Sequence, residues 1–343
     1  MKSRLSKKHY LYVAGSCMLL ILALVSFCLF APLSQRSETC HLYIDTDDTA
    51  DSVVAKLTPF CHRPALAGFS AMARHGGYNT SAIIPGRYTI SPDDAVVTVF
   101  RRLRQGRQSP LRLTIPSTRT MPRLAAILSR HLMADSVALA TAFADSTLLA
   151  GLGCTTATLP ALIIPNTYEF YWTITPQQFL ARMKREHDNY WTSSRRALAS
   201  SIGLTPAEVA TLASIVDEET ANAKEKPLIA GMYINRLHAG MPLQADPTVK
   251  YAVGDFSLRR IYRKHLLTPS PYNTYLNTQL PPGPIRIAST EGLNAVLNAT
   301  QHNYLYMCAN ADFSGTHVFA HTYEEHLANA AKYTAALNKR GIK

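Results

Sequence analysis

Residues 10–33, YLYVAGSCMLLILALVSFCLFAPL, carry no charged side chain. A helix of about 20 apolar residues is long enough to cross a bilayer, and inside lipid its amides must satisfy one another. Residues 1–9 hold Lys2, Arg4, Lys7 and Lys8, and a basic flank of this kind predicts the cytoplasmic side of a span. No A-x-A site follows the run, which favours a permanent anchor over a cleaved signal. The expected layout is a cytoplasmic tail at 1–9, a single transmembrane helix at 10–33, and the rest of the chain exported to the outer side of the cell membrane.

The formal net charge is +12. Such a balance suits a polyanionic neighbour: nucleic acid, anionic lipid or cell wall. The basic residues are scattered and no nucleic-acid motif accompanies them, so no nucleic-acid partner is expected and the membrane and wall readings win. Of six cysteines, Cys17 and Cys28 lie in the span, and Cys40, Cys61, Cys154 and Cys308 would face an oxidising compartment. None has a metal-ligand spacing, nor do His317, His321 and His326, so no metal or cofactor is expected. If the strand at 40–44 and the helix after it run antiparallel, Cys40 and Cys61 return to one end and could form a disulfide.

Three stretches repeat a pattern of strand, turn and amphipathic helix: LYIDTDDTADSVVAKL from Leu42, RYTISPDDAVVTVFRRL from Arg87 and RLTIPSTRTMPRLAAIL from Arg112. Each alternates briefly, passes turn residues, then shows an i, i+3, i+4 apolar stripe. GRQSP at 106–110 reads as a linker. Residues 133–204 read as mainly helical, including Gln177–Trp191, around the aromatic-rich segment 163–172. There Tyr168, Tyr171 and Trp172 are candidates to stack on sugar rings, and Glu169 is a carboxyl beside them.

The segment 205–251 carries the strongest local signals. Thr205, Pro206 and Glu208 make a capped helix start, followed by Val209, Leu212, Ala213, Ile215 and Val216 at helical spacing. At about 100° per residue, Glu219 falls inside this stripe, Asp217 at its edge and Glu218 nearly opposite. A carboxyl among apolar neighbours loses hydration and holds its proton to higher pH, as a general acid near neutrality must. Outward-facing Glu218 is expected to tolerate Glu218→Gln. A second helix, about Pro227 to His238, stops at Gly240. After it, Asp246 is expected to cap a short helix starting at Pro247. Asn235, Gln244 and Asp246 have side chains suited to sugar hydroxyls. Further on, Ser257 is expected to cap a helix bearing Arg259, Arg260, Arg263 and Lys264. The proline-stiffened loops 270–275 and 280–285 would present Tyr272, Asn273 and Thr274 to a cleft. A hairpin about Asp312–Gly315 and a last helix near 322–337 complete the chain.

In order, ASIVDEET, INRL, MPLQADPTV, SPYNTY and LPPGPI resemble the motifs of the YceG-like endolytic murein transglycosylases, the MltG family. Its pattern ASIVEKET aligns two glutamates with Asp217 and Glu219, so this chain departs from it at Asp217, one methylene shorter. PNTYEF at 165–170 matches the family's PDTYEF with Asn166 for Asp. The resemblance implies an α+β fold with a LysM-like α/β subdomain at 40–132 and a mixed α+β catalytic domain at 133–343. It implies cleavage of MurNAc–GlcNAc bonds within peptidoglycan glycan strands to leave 1,6-anhydro-MurNAc ends, terminating nascent strands beside penicillin-binding synthases. Glu219 is the expected catalyst. Asn235, Gln244, Asp246, Thr248, Tyr272, Asn273, Thr274 and Glu169 are the expected substrate contacts. A non-catalytic wall-binding scaffold and a two-acid muramidase are the competing readings.

Overall fold

The computed structural model describes residues 7–258 and 260–341. Lys2, Arg4 and Arg259 of the sequence reading lie outside the described residues. The chain forms two compact units. One comprises the chain up to Leu113 with His131–Met133 and Glu169–Ile174; the other comprises Thr114–Arg130, Ala134–Tyr168 and the chain from Thr175.

In the first unit, α1 runs Lys7–Phe30. Its His9–Phe30 segment has a mean hydropathy of 2.6 and is not buried by protein, so it is long and apolar enough for a single membrane pass. The helix stops at Phe30. Leu33, read from sequence as part of the span, is instead wholly buried in the core of this unit, and its N–H donates to the Asp94 carbonyl at 2.9 Å.

Strands β1 (Cys40–Ile44) and β2 (Gly86–Ile90) pair antiparallel, with Cys40 opposite Ile90. Between them come α2 (Ala50–Leu57) and α3 (Arg63–His75), and α4 (Val96–Arg104) follows. Leu42, Ile44, Tyr88 and Ile90 alternate inward, as period-two patterning requires, onto Val53, Leu57, Phe69, Val99 and Leu103. Cys40 and Cys61 are both buried free thiols here, with no bridge between them; burial pushes Cys61 up to about 12. The three repeated strand–helix pairs all form. The third, β3 (Leu111–Thr114) with α5 (Met121–Leu128), is divided, its helix belonging to the second unit.

After α5 the chain makes α6 (Ser136–Ala144), α7 (Ser146–Gly151), α8 (Leu159–Leu162), β4 (Thr167–Phe170), α9 (Pro176–Tyr190) and α10 (Ser193–Ser201). The second unit is built on α11 (Pro206–Glu219), whose capping box is Thr205 with Glu208. Every residue from Val209 to Val216 is buried, so this helix is enclosed on all sides rather than along one stripe. Its polar members are satisfied: Thr211 donates to the Ala207 carbonyl, Ser214 donates to the Thr211 carbonyl, and the Ser214 hydroxyl accepts the Ile285 N–H at 3.0 Å. Around it lie α12 (Lys226–His238), α13 (Asp246–Val253) and α15 (Thr290–Leu297).

A hairpin of β5 (Tyr306–Ala309) and β6 (His317–Ala320) then leads to α16 (Tyr323–Lys339). The helix expected from Ser257 does not form. The Asp255 carboxylate takes both the N–H and the hydroxyl of Ser257, and only one turn, α14 (Arg263–Leu266), follows.

Candidate active site

The last turn of α11 sends three neighbouring carboxyls into three environments. Asp217, 3% exposed, accepts Lys226 Nζ at 2.7 Å and both the N–H and the hydroxyl of Ser289. Gly292 lies directly beneath it; a Cβ there would come within 2.6 Å of the carboxylate. Glu218 does not face solvent, as the helical wheel alone suggested. Arg119 grips both its oxygens, at 2.8 and 2.7 Å, and Arg286 adds a third bond at 2.9 Å. Burial alone would raise its pKa, but the two guanidiniums outweigh that and hold it below the ordinary glutamate range.

Glu219 faces no cation at bonding distance. The Tyr233 hydroxyl donates to its Oε1 at 2.7 Å. Loss of hydration raises its pKa to about 7, overcoming that hydrogen bond and the nearby His317; Asp246 and Glu218 push the same way as burial. Such a group can give a proton and take one back near neutral pH.

Glu219 opens into a cleft of about 290 Å³, shared with Tyr233, Arg236, Gln244, Asp246, Tyr275 and His317. Asp246 is the first residue of α13, and Ala245 holds the capping position. Its carboxylate turns away from the helix amides and accepts the Tyr275 hydroxyl at 2.7 Å. Gln244 is held at φ +52°, its N–H on the Thr274 carbonyl and its Oε1 accepting from Arg236. Arg236 is buried, and its guanidinium donates to the carbonyls of Leu243 and Leu305. His317 sits against Glu225, which accepts its N–H and lies 3.0 Å from ring Nδ1.

The cleft therefore gathers Glu219, Gln244 and Asp246 of the expected set and leaves out the others. Asn235 ties the carbonyls of His302 and Tyr304 to α12. Thr248 and Thr274 are fully buried and share a hydroxyl–hydroxyl bond of 2.8 Å. Asn273, also fully buried, holds the carbonyls of Leu266 and Thr268. Tyr272 leans on Tyr251, with ring centroids 4.7 Å apart. These four polar groups and the tyrosine brace the loops that border the cleft. Glu169 is exposed on β4, in the unit that does not contain Glu219. Tyr168 is buried, its hydroxyl on the Ile164 carbonyl, and Trp172 meets Tyr43 edge-on; neither offers a free sugar platform. The tyrosines of the cleft, Tyr233 and Tyr275, were not singled out from sequence. Tyr233 sits four residues after Ile229, within an apolar helical run that reads as core.

A fold of this kind defines an α+β protein whose enclosed central helix delivers one desolvated carboxyl to an open polar cleft. The model of the YceG-like family matches residues 42–332, and the chain belongs to that family. It is 34% identical over 182 residues to the endolytic murein transglycosylase of Bacillus subtilis (strain 168), covering 53% of this chain and 50% of that protein. It is 31% identical over 183 residues to the protein of the same name from Streptococcus pneumoniae (strain D39), covering 51% of this chain and 32% of the relative. The matched part thus spans half or less of these relatives' length. A crystal structure of a yceG-like protein from Listeria monocytogenes shares the fold, with a TM-score of 0.58 over 85% of this chain and 99% of that one, at 24% identity.

Proposed function

We propose that this chain is an endolytic lytic transglycosylase of peptidoglycan, with Glu219 as the single acid–base. Protonated Glu219 gives its proton to the glycosidic oxygen between MurNAc and GlcNAc, and that C–O bond breaks. The resulting carboxylate takes the proton of the muramyl C6 hydroxyl as its oxygen bonds to C1, closing the 1,6-anhydro ring. Atoms and charge balance without water, since the nucleophile belongs to the substrate. The observation that carries this reading is a carboxyl with a pKa of about 7 at the head of an open cleft, aligned by the Tyr233 hydroxyl. Acid–base assistance of this sort is worth roughly 10²–10⁴-fold; Gln244, Asp246 and Arg236 are the groups that would position the sugar.

The test is the mass of the reducing ends released from glycan strands. A transglycosylase leaves ends one water lighter than those of hydrolysis. Hydrated ends would assign a two-acid muramidase, with Asp246 as the second carboxyl, and no new ends at all a wall-binding scaffold.

The order β1, α2, α3, β2 supports reading the first unit as a LysM-like module. The apolar α1 supports a single-pass anchor in the inner membrane with its N-terminus cytoplasmic. With the cleft on the outer side, the enzyme would end nascent strands beside penicillin-binding synthases.

A further inference from the structure

On the Glu218 side of the same helix end, a second cleft of about 530 Å³ is lined by Arg119, Arg123, Arg286, Thr120 and Phe256. A narrow recess next to it is lined by Glu218, Lys250 and again Arg119 and Phe256. The two recesses together are lined by four cations and one carboxylate, an excess of three positive charges. Two of the cations are fixed in place. Glu218 holds Arg119 through Nε and Nη2, which leaves both N–H groups of Nη1 for another acceptor. The Ser117 hydroxyl and carbonyl hold Arg286. Phe256 lies 5.6 Å from the Arg119 guanidinium, and Asp255, the acid next to it, is turned onto Ser257. Thr120 caps α5, so the positive end of that helix and first-turn Arg123 face the same space.

A glycan backbone is uncharged and gives such a cleft nothing to neutralise. The anions of a peptidoglycan strand are the carboxylates of the peptide stems on its muramyl residues. Glu218 and Glu219 are consecutive on one helix and so point about 100° apart. Helix α13 borders the Glu219 cleft through Asp246 and the recess beside the arginine cleft through Lys250. The arginine cleft thus lies on the neighbouring face of the same helix end that carries Glu219.

We propose that the Arg119–Arg123–Arg286 cleft is a stem-peptide subsite, taking a carboxylate of the peptide on a muramyl residue of the strand being cut. The proposal rests on the transglycosylase reading above. It makes the enzyme selective for strands whose stems have not been removed.

The experiment compares full-length protein in detergent on stem-bearing strands and on the same strands stripped by an amidase with the freed lactyl carboxylates then converted to amides, counting anhydro ends. Wild-type enzyme should show a KM about tenfold lower for stem-bearing strands, the worth of one charge-assisted hydrogen bond. Arg123→Gln, an exposed first-turn substitution, should remove most of that preference, and Arg119→Gln with Arg123→Gln all of it. Values of kcat, and both constants on stripped strands, should stay at wild-type levels. Equal KM for the two substrates in wild type, or an intact preference in the double variant, would overturn the subsite. So would a loss confined to enzyme in phosphatidylglycerol nanodiscs and equal on both substrates, which would assign the arginines to lipid headgroups. Absence of anhydro ends from wild type on both substrates would instead sink the transglycosylase reading, and the subsite with it.

Discussion

Asp217 and Glu219 lie two residues apart on one helix, both drawn out of water, yet one faces an ammonium and the other a phenol. Lys226 and Ser289 give Asp217 three hydrogen bonds, one of them from an ammonium. Glu219 has one neutral donor and a pKa raised to about 7. Burial beside a cation leaves a carboxyl ionised, whereas burial without one lets it keep its proton to higher pH. Glu218 adds the third case, a half-buried carboxyl kept ionised by two arginines.

The sharpest way to break this contrast is Glu219→Gln, which keeps the shape and removes the proton. Formation of anhydro ends should fall by about 10²–10⁴-fold, with the melting temperature held; full turnover would end the assignment. Asp217→Asn should do the opposite. It leaves the Lys226 ammonium, only 6% exposed, with Glu291 Oε2 at 3.3 Å as its remaining carboxylate, and should cost about 2 kcal/mol, a drop of roughly 4–8 °C in thermal unfolding. Glu218→Gln should cost less, about 1–2 kcal/mol, because Arg119 and Arg286 keep an amide oxygen and some solvent. That outcome departs from the near-neutral substitution the helical wheel alone suggests, and unchanged melting would restore the simpler view.

The smallest effect is on pH dependence. The alkaline limb of kcat should lie near 7, where Glu219 loses its proton. Tyr233→Phe removes a bond that favours the carboxylate, so the limb should move up, by less than about one unit. Stability carries the same sign. The folded protein binds this proton more tightly than the unfolded chain, so stability declines as pH rises from the ordinary glutamate range through about 7. Glu219→Gln should abolish that slope, and an unaltered slope would mean another group titrates.

Much of this arrangement was legible in the sequence. A capping box marked the start of α11, because a side chain that satisfies helix amides acts within a few residues. The place of Glu219 also followed from local periodicity. What local pattern could not show was where polar side chains in the 270–275 loop would point. Asn273 turns inward onto the Leu266 and Thr268 carbonyls, and Thr274 onto the Ala245 N–H and the Thr248 hydroxyl, which in sequence is indistinguishable from turning outward to a sugar. The partners of Glu218 were hidden for a related reason, since Arg119 is 99 residues away along the chain. Ser257 instead closes a tight turn, giving its N–H and hydroxyl to Asp255 two residues earlier.

Gln244 holds a left-handed backbone, φ +52°, that glycine adopts without strain and other residues adopt at a cost of about 1 kcal/mol. A selection for heat resistance alone would put glycine there, and the molecule would gain stability while losing the only side chain at that position that reaches both Arg236 and the cleft. Directed evolution of this scaffold therefore meets a fork at residue 244, where the hardier variant is the one that has given up a polar hand in the cleft.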